Sequence, residues 1–98
     1  MVIVGGSFEL EEGERDAFLA GREEAMRRSR SEPGCLEYVF APDPLDARRV
    51  VLFEIWETEE ALAAHGRALR DAPRSEPSVR PVSAEIRRYD VSGVRPLG

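Results

Sequence analysis

The sequence predicts an α+β fold in which a four-stranded antiparallel sheet carries two helices on one face. Two observations predict it: four short runs rich in β-branched and aromatic residues, and two longer segments with helical spacing, in the order β-α-β-β-α-β. That order is typical of the ferredoxin-like split β-α-β arrangement. A chain of 98 residues is long enough for one domain with one modest core. We expect residues 1–92 to form this domain and residues 93–98 to form a C-terminal tail.

The first strand and the first helix are expected within residues 2–31. Val2 to Leu10 has the composition of a strand, although Gly5 and Gly6 lie in its middle. The two glycines indicate either a bulge or a close crossing by a helix, or else a space for a ligand over the sheet. The acidic residues 11–14 favour a helix that starts there and runs to about Ser31.

A turn and a second strand follow. Pro33-Gly34 is a strong turn signal, because proline fixes φ and glycine admits a positive φ. Residues 35–41 are then expected to form a strand, with Leu36, Tyr38 and Phe40 on one face by the two-residue period.

The next strand, Val50–Trp56, has mostly apolar residues on both faces. One face carries Val51, Phe53 and Ile55, and the other carries Val50, Leu52, Glu54 and Trp56. Two helices cover only one face of such a sheet, so the second apolar face needs another partner. A homodimer that packs sheet against sheet is the simplest arrangement that meets this need.

The second helix is expected to begin after Thr58, a residue type that caps helix N-termini. Its inward stripe consists of Ala61, Leu62, His65, Ala68 and Leu69. His65 should therefore face the sheet. A proline-rich loop at residues 72–81 is either a lid over a pocket or a plain connector to the last strand, residues 82–91.

The composition argues against several classes of function. A net charge of −5 argues against nucleic acid as a partner. No apolar run approaches the roughly 20 residues of a membrane span, and no secretory signal is evident. A single cysteine fits the cytoplasm, where we expect the protein to act. All 14 basic residues are arginine, which excludes Schiff-base chemistry on a lysine, and one histidine with one cysteine cannot build a structural zinc site.

Two motifs stand out in the centre of the chain. They read E-P-G-C-L-x-Y at residues 32–38 and E-x-W-x-x-x-x-A-L-x-x-H at residues 54–65. These motifs resemble the antibiotic biosynthesis monooxygenase domain, a branch of the dimeric α+β barrel proteins. The similarity covers most of the chain up to about Leu69 and resumes at the last strand. It implies a ferredoxin-like subunit that dimerises through its sheet, with a pocket between sheet and helices.

The resemblance also implies a class of reaction. Proteins of this kind oxidise phenols, anthrones and quinols with molecular oxygen and without flavin or metal. The implied partners are therefore a small aromatic molecule and O2, and no cofactor is expected. Such a site needs a base or an anion stabiliser in a dry pocket, because a deprotonated phenol passes an electron to triplet oxygen more readily than the neutral phenol does.

Carried onto this chain, the resemblance points to His65, Trp56 and Tyr38 as catalytic residues, with Glu54 as a secondary candidate. His65 would take or share the substrate's proton. Trp56 would stack on an aromatic ring and donate from its indole N–H, and Tyr38 would donate to a developing oxyanion. Each also has a purely structural interpretation as a core, dimer or sheet residue. Cys35 is interpreted as a small buried apolar residue.

Three functions therefore compete. The first is a cofactor-independent monooxygenase that acts on a phenol, quinol or polyketide-like aromatic. The second is a non-catalytic small-molecule binding or stress-response protein of the same fold, and the third is a structural dimer without a cavity beside His65. The family's haem-degrading branch uses an asparagine together with Trp and His, and this chain contains no asparagine, which disfavours haem degradation.

Overall fold

The computed structural model describes residues 1–72 and 79–98. The strands in this part of the chain are β1 (Val2–Glu9), β2 (Cys35–Pro42), β3 (Arg49–Trp56) and β4 (Ser83–Asp90). The helices are α1 (Arg15–Ala20), α2 (Glu23–Arg30) and α3 (Glu59–Asp71). The loop predicted at residues 72–81 lies largely outside the described residues.

The four strands form one sheet in the order β2-β3-β1-β4, and every neighbouring pair is antiparallel. Val2 at the start of β1 lies opposite Trp56 at the end of β3 and opposite Asp90 at the end of β4. The predicted α+β, ferredoxin-like arrangement is therefore confirmed. None of the helices in the two described segments is long and apolar enough to cross a lipid bilayer.

The two faces of the sheet differ in their surroundings. The face toward the helices buries alternate residues of β3, namely Val50, Leu52, Glu54 and Trp56. We call the opposite side the open face; it is formed by Ile3, Val39, Val51, Phe53, Ile55 and Tyr89. In the structure, Phe53 is 39% exposed and Tyr89 is 50% exposed. The alternation predicted for β3 thus leaves an apolar surface on the side of the sheet away from the helices.

The first helical segment differs from the single helix expected over residues 11–31. Gly13 has a φ of 83°, which a right-handed helix does not allow, so α1 begins only at Arg15. A second interruption follows α1, where the N–H of Arg22 donates to the carbonyl of Leu19, three residues back rather than four. Gly21 at this point has a low helix propensity. The segment therefore forms two short helices.

Strand β2 also departs from the expected alternation. A bulge between Cys35 and Glu37 makes Leu36 an extra residue, which is 50% exposed. The inserted residue breaks the two-residue period, so Leu36 does not share the buried face of Tyr38. The prediction that Leu36 and Tyr38 share one face of the sheet was therefore wrong for Leu36, whereas Tyr38 is buried.

The core lies between the helices and the sheet. Leu10, Phe18 and Val50 form its buried centre, and Phe8, Leu19, Phe40 and Val79 pack against it. The rings of Phe8, Phe18 and Phe40 lie within 6.2 Å of one another, and Phe40 lies 5.9 Å from the ring of Tyr38. A row of aromatic contacts therefore links the core to the site described below.

Gly6 is required by the close approach of β4. A Cβ atom at this position would collide with the backbone of Glu85 and Ile86. The space that a side chain would fill is taken by a neighbouring strand, so neither a helix crossing nor a ligand explains this glycine. Gly5 points to the open face, where a Cβ atom would lie 4.0 Å from Phe53 and Tyr89.

Candidate functional site

His65 is placed by α3. The hydroxyl of Thr58 accepts from the backbone N–H of Ala61 at 3.1 Å, which caps the helix as the sequence predicts. The capped helix turns His65 toward the sheet, where it is buried. The prediction that His65 faces inward is therefore confirmed. The predicted inward stripe was wrong at its C-terminal end, because Ala68 is exposed and Leu69 is 50% exposed.

The structure brings the three predicted site residues together. The ring centroid of His65 lies 4.6 Å from that of Trp56, at an interplanar angle of 33°. Tyr38 approaches the same imidazole edge-on, with 5.3 Å between centroids. Trp56 is fully buried and Tyr38 nearly so, so neither ring presents an open face to solvent. The three side chains form a closed cluster at one end of the sheet.

Glu54 joins this cluster from the same strand as Trp56. Residues two apart on a strand share a face, and Oε1 of Glu54 accepts from Nε1–H of Trp56 at 2.8 Å. The same oxygen lies 4.0 Å from Nε2 of His65. Burial raises the pKa of the Glu54 carboxyl, while the Trp56 hydrogen bond and the charge of His65 act in the opposite direction.

Glu32 completes the cluster from the loop between α2 and β2. Its Oε1 lies 2.6 Å from Nδ1 of His65. A carboxylate can only accept a hydrogen bond, so the ring nitrogen that faces it donates. His65 therefore lies between two acidic side chains, with Glu32 at Nδ1 and Glu54 beyond Nε2. Neither this cluster nor any other part of residues 1–72 and 79–98 contains three His, Cys, Asp or Glu side chains placed to hold a metal ion.

Sequence reasoning missed Glu32 as a member of the site. It stands in the E-P-G motif, yet it lies 33 residues from His65, so no local spacing connects the two. Its place directly before the Pro33-Gly34 turn was the one available signal, because that turn fixes where the loop meets α3.

Burial raises the pKa values of two side chains near the cluster, Tyr38 and Cys35. Burial and the charge of Glu54 raise the pKa of the Tyr38 phenol to about 12, and the Ser29 hydroxyl only partly opposes this. Tyr38 therefore stays protonated at neutral pH. Burial, followed by the charge of Glu32, raises the pKa of the Cys35 thiol, which fits an unreactive cysteine.

An open groove of about 600 Å³ lies beside Glu32 and His65. It runs between the Pro33-Gly34 turn and α3, and its other lining residues are Glu57, Thr58, Glu60, Ala61, Ala64 and Arg67. A smaller cavity of about 60 Å³ also touches Glu32 and His65, next to Ser29 and Ala68. Small-molecule sites typically measure about 300–1,000 Å³. The groove has this size, which argues against the absence of a cavity beside His65 that a purely structural dimer predicts.

The turn that borders the groove depends on a glycine. Gly34 has a φ of 83°, and a Cβ atom there would lie 2.5 Å from the Cβ of Ala61. Glycine thus allows the turn to rest against α3, and the N–H of Glu57 donates to the carbonyl of Gly34 at 2.7 Å. These contacts hold the loop that carries Glu32.

Comparison with known proteins supports this assignment of the fold. Residues 1–69 match the family model described as antibiotic biosynthesis monooxygenase. An uncharacterised protein of Synechocystis is 26% identical over 98 residues, which are 98% of this chain and 67% of that protein.

Solved structures share the architecture. A Chloroflexus aurantiacus protein that bears the name antibiotic biosynthesis monooxygenase is 27% identical to this chain and has a TM-score of 0.71. The match covers 99% of this chain and 98% of the Chloroflexus chain. A Deinococcus radiodurans protein of the same name is 17% identical, with a TM-score of 0.76 over 100% and 99% of the two chains. A haem degrader from Mycobacterium tuberculosis, with two haems bound in its active site, is also 17% identical and has a TM-score of 0.71, covering 98% and 100%. The last two likenesses concern the fold alone.

Proposed function

Because the chain belongs to the antibiotic biosynthesis monooxygenase family, we propose that it is a cofactor-independent monooxygenase. Its substrate is a small aromatic phenol, quinol or polyketide-like molecule, and O2 is the oxidant. One observation carries the proposal: the buried imidazole of His65 lies between Glu32 and Glu54 beside a groove of about 600 Å³. This arrangement supplies acceptors for a substrate proton next to a space that holds an aromatic ring.

The reaction begins with removal of a proton from the substrate hydroxyl. The anion passes one electron to O2, and the resulting radical pair recombines at carbon to give a peroxide. The peroxide takes up a proton and loses water, which removes the one hydrogen of that ring carbon and leaves a carbonyl there. One oxygen atom enters the product and the other leaves as water, so the substrate alone supplies the electrons. The protein's part is to move the proton and to hold the anion.

The three predicted site residues take distinct roles in this proposal. His65 and its two acidic neighbours form the group that receives the proton, and the contact of Nδ1 with Glu32 orients that carboxylate. Tyr38, which stays protonated, packs edge-on against the imidazole of His65, and this contact supports the position of the ring. Trp56 is fully buried and its N–H is bonded to Glu54, so the stacking role expected from the sequence does not suit its contacts. We assign Trp56 the role of holding Glu54 and His65 in place.

A homodimer formed through the open face is part of the proposal. The open face carries Phe53 and Tyr89, which are 39% and 50% exposed, with Ile3 and Ile55 between them. Contiguous apolar surface of this kind is typical of protein interfaces. Pairing of two open faces would bury it and would leave the groove at α3, on the other side of the sheet, accessible in each subunit.

A non-catalytic small-molecule binding or stress-response protein of the same fold is the alternative function. The burial of Trp56 and Tyr38 favours this alternative, because a ligand in the groove would touch neither aromatic ring of the predicted site. This alternative predicts ligand binding without oxygen consumption.

Oxygen uptake distinguishes the two functions. The protein is treated with a chelator and presented with a panel of anthrones, naphthoquinols and catechols in an oxygen electrode. We expect uptake well above autoxidation for the parent protein and for Arg70→Ala, a control on the exposed side of α3. His65→Ala should lose this uptake. Equal uptake in His65→Ala would remove His65 from the mechanism, and no uptake with any substrate would favour the binding protein.

A further inference from the structure

We propose that Glu32 is the group that a ligand in the groove contacts, and that its carboxylate selects uncharged, proton-donating ligands and accepts their proton. The proton transfer rests on the proposed function, whereas the selection of ligands by charge does not. His65 then acts behind Glu32 as a positioning residue.

Accessibility distinguishes Glu32 from the rest of the cluster. The side chain of Glu32 is 25% exposed, against 5% for His65 and 7% for Glu54. Trp56 has no exposed surface. Glu32 also lines both the groove and the smaller cavity beside it. A ligand that enters the groove therefore reaches the carboxylate of Glu32 before it reaches the buried Nε2 of His65.

The carboxylate is held with one oxygen available. Oε1 of Glu32 accepts from Nδ1–H of His65 at 2.6 Å, a charge-assisted bond that anchors this oxygen of the carboxylate. In residues 1–72 and 79–98, no hydrogen bond of the structure uses Oε2 of Glu32. In the proton transfer, the O–H bond of the ligand breaks and a new O–H bond forms at this second oxygen. The ligand is left as an anion. The Nδ1–H group of His65 keeps its hydrogen bond to Oε1 of Glu32 throughout.

The charges of the groove favour the same class of ligand. Glu57 and Glu60 line it together with Glu32, and Arg67 supplies the positive charge among its described lining residues. A ligand that arrives as a carboxylate or phosphate meets three acidic side chains, so its binding is disfavoured. A neutral phenol donates to Glu32 without this repulsion, and Arg67 lies in the same groove to face the anion formed afterward.

Two matched probes test the selection. 2-Naphthol and 2-naphthoate have the same ring system, but only the second is an anion at neutral pH, and calorimetric titration gives the affinity for each. We expect the parent protein to bind 2-naphthol at least about tenfold more tightly than 2-naphthoate, as expected for like charges a few Å apart. Glu32→Gln should remove most of this ratio. Glu12→Gln, which removes the same charge from an exposed position outside the groove lining, should keep it.

Three results of this titration would overturn the proposal. They are equal affinity of the parent for both probes, the same loss of selection in Glu12→Gln as in Glu32→Gln, and no binding of 2-naphthol at millimolar concentration. Circular dichroism of both variants checks that each is folded.

The parent protein alone provides a second test. His65 is the one histidine of the chain, so the ¹⁵N signals of its ring are assigned without ambiguity. We expect the neutral ring to carry its proton on Nδ1, because Glu32 requires a donor there. A proton on Nε2 would overturn the contact on which the proposal depends. If selection depends on Glu32 while no oxygen is consumed, the monooxygenase function and the proton transfer fail, and the selection of ligands by Glu32 stands. If oxygen is consumed while Glu32→Gln keeps the selection, the monooxygenase function stands and the role of Glu32 fails.

Discussion

Oε1 of Glu32 lies 2.6 Å from Nδ1 of His65, although the two residues are 33 positions apart in the sequence. Glu32 belongs to the loop that leads into β2, and His65 belongs to α3. The pair therefore joins the two elements that border the groove, and its geometry depends on how closely the loop approaches the helix. Gly34 sets that approach.

Gly34→Ala should destabilise the protein more than Gly13→Ala does. Both glycines have a φ of 83°, so an alanine is strained at either position. At Gly34 the added Cβ would also lie 2.5 Å from the Cβ of Ala61, whereas nothing lies within 4 Å at Gly13. We expect a loss of about 1–2 kcal/mol at Gly13 from strain alone and about 2–4 kcal/mol at Gly34 with the clash added. Denaturant unfolding measures both, and equal losses would show that the loop does not rest on α3.

The stability of the protein should depend on pH through Glu54. Burial raises the pKa of this carboxyl above its ordinary value of 4.5. Between the ordinary and the raised value, the folded chain holds a proton that the unfolded chain has released, so stability falls as the pH rises through this window. Above the window the cost of burying the charge is constant.

Glu54→Gln isolates this effect, because glutamine keeps an acceptor for the Trp56 N–H and has no charge to lose. The unfolding free energy of Glu54→Gln minus that of the parent should increase with pH across the window and then level off. Glu57→Gln, at an exposed position, gives the baseline for removing a surface charge. A difference that stays flat or decreases with rising pH would contradict the assignment of Glu54 as a carboxyl penalised by burial.

Trp56→Phe should destabilise the protein by about 3–5 kcal/mol, because it deletes buried volume and leaves Glu54 without its indole donor. A double-mutant cycle with Glu54→Met, which has a similar volume and no acceptor for the indole N–H, separates the two contributions. We expect a coupling energy of about 1–3 kcal/mol between the two positions, as is usual for residues in one hydrogen-bond network. Additive losses would mean that the 2.8 Å contact between Nε1 and Oε1 contributes nothing to stability.

Phe53→Glu should abolish the proposed homodimer. Phe53 lies in the middle of the open face, opposite Gly5 of β1 and Val39 of β2, so a charge there would be buried between two sheets. Leu45→Glu adds the same charge at a turn position that is 96% exposed, and it should leave the dimer intact. Sedimentation velocity measures both. A dimer that survives Phe53→Glu would place the interface elsewhere, and a monomeric parent would contradict the proposed homodimer.

The fold was predictable because its signals are local. Thr58 and the apolar spacing after it determine α3, and the alternation in β3 determines which side of the sheet is buried. The same spacing correctly turned His65 inward. Departures arose where one residue changes the backbone: the positive φ of Gly13 delays the first helix, and the extra residue Leu36 breaks the alternation of β2.

The composition of the site was only partly predictable. Tyr38, Trp56 and His65 are adjacent as expected, because each lies on a face that the periodicity fixes. The contact between Glu32 and His65 depends on the distance between a loop and a helix, which no spacing in the sequence encodes. The complete burial of Trp56 could not be predicted either, because it depends on how α3 packs over β3.

A crystal structure of the protein with 2-naphthol tests most directly the claim that the groove beside Glu32 and His65 is the ligand site. We expect the ring to lie between the Pro33-Gly34 turn and α3, with its hydroxyl about 2.5–3.0 Å from Oε2 of Glu32. A ring bound on the open face or in another cavity, with no contact to Glu32, would contradict the account.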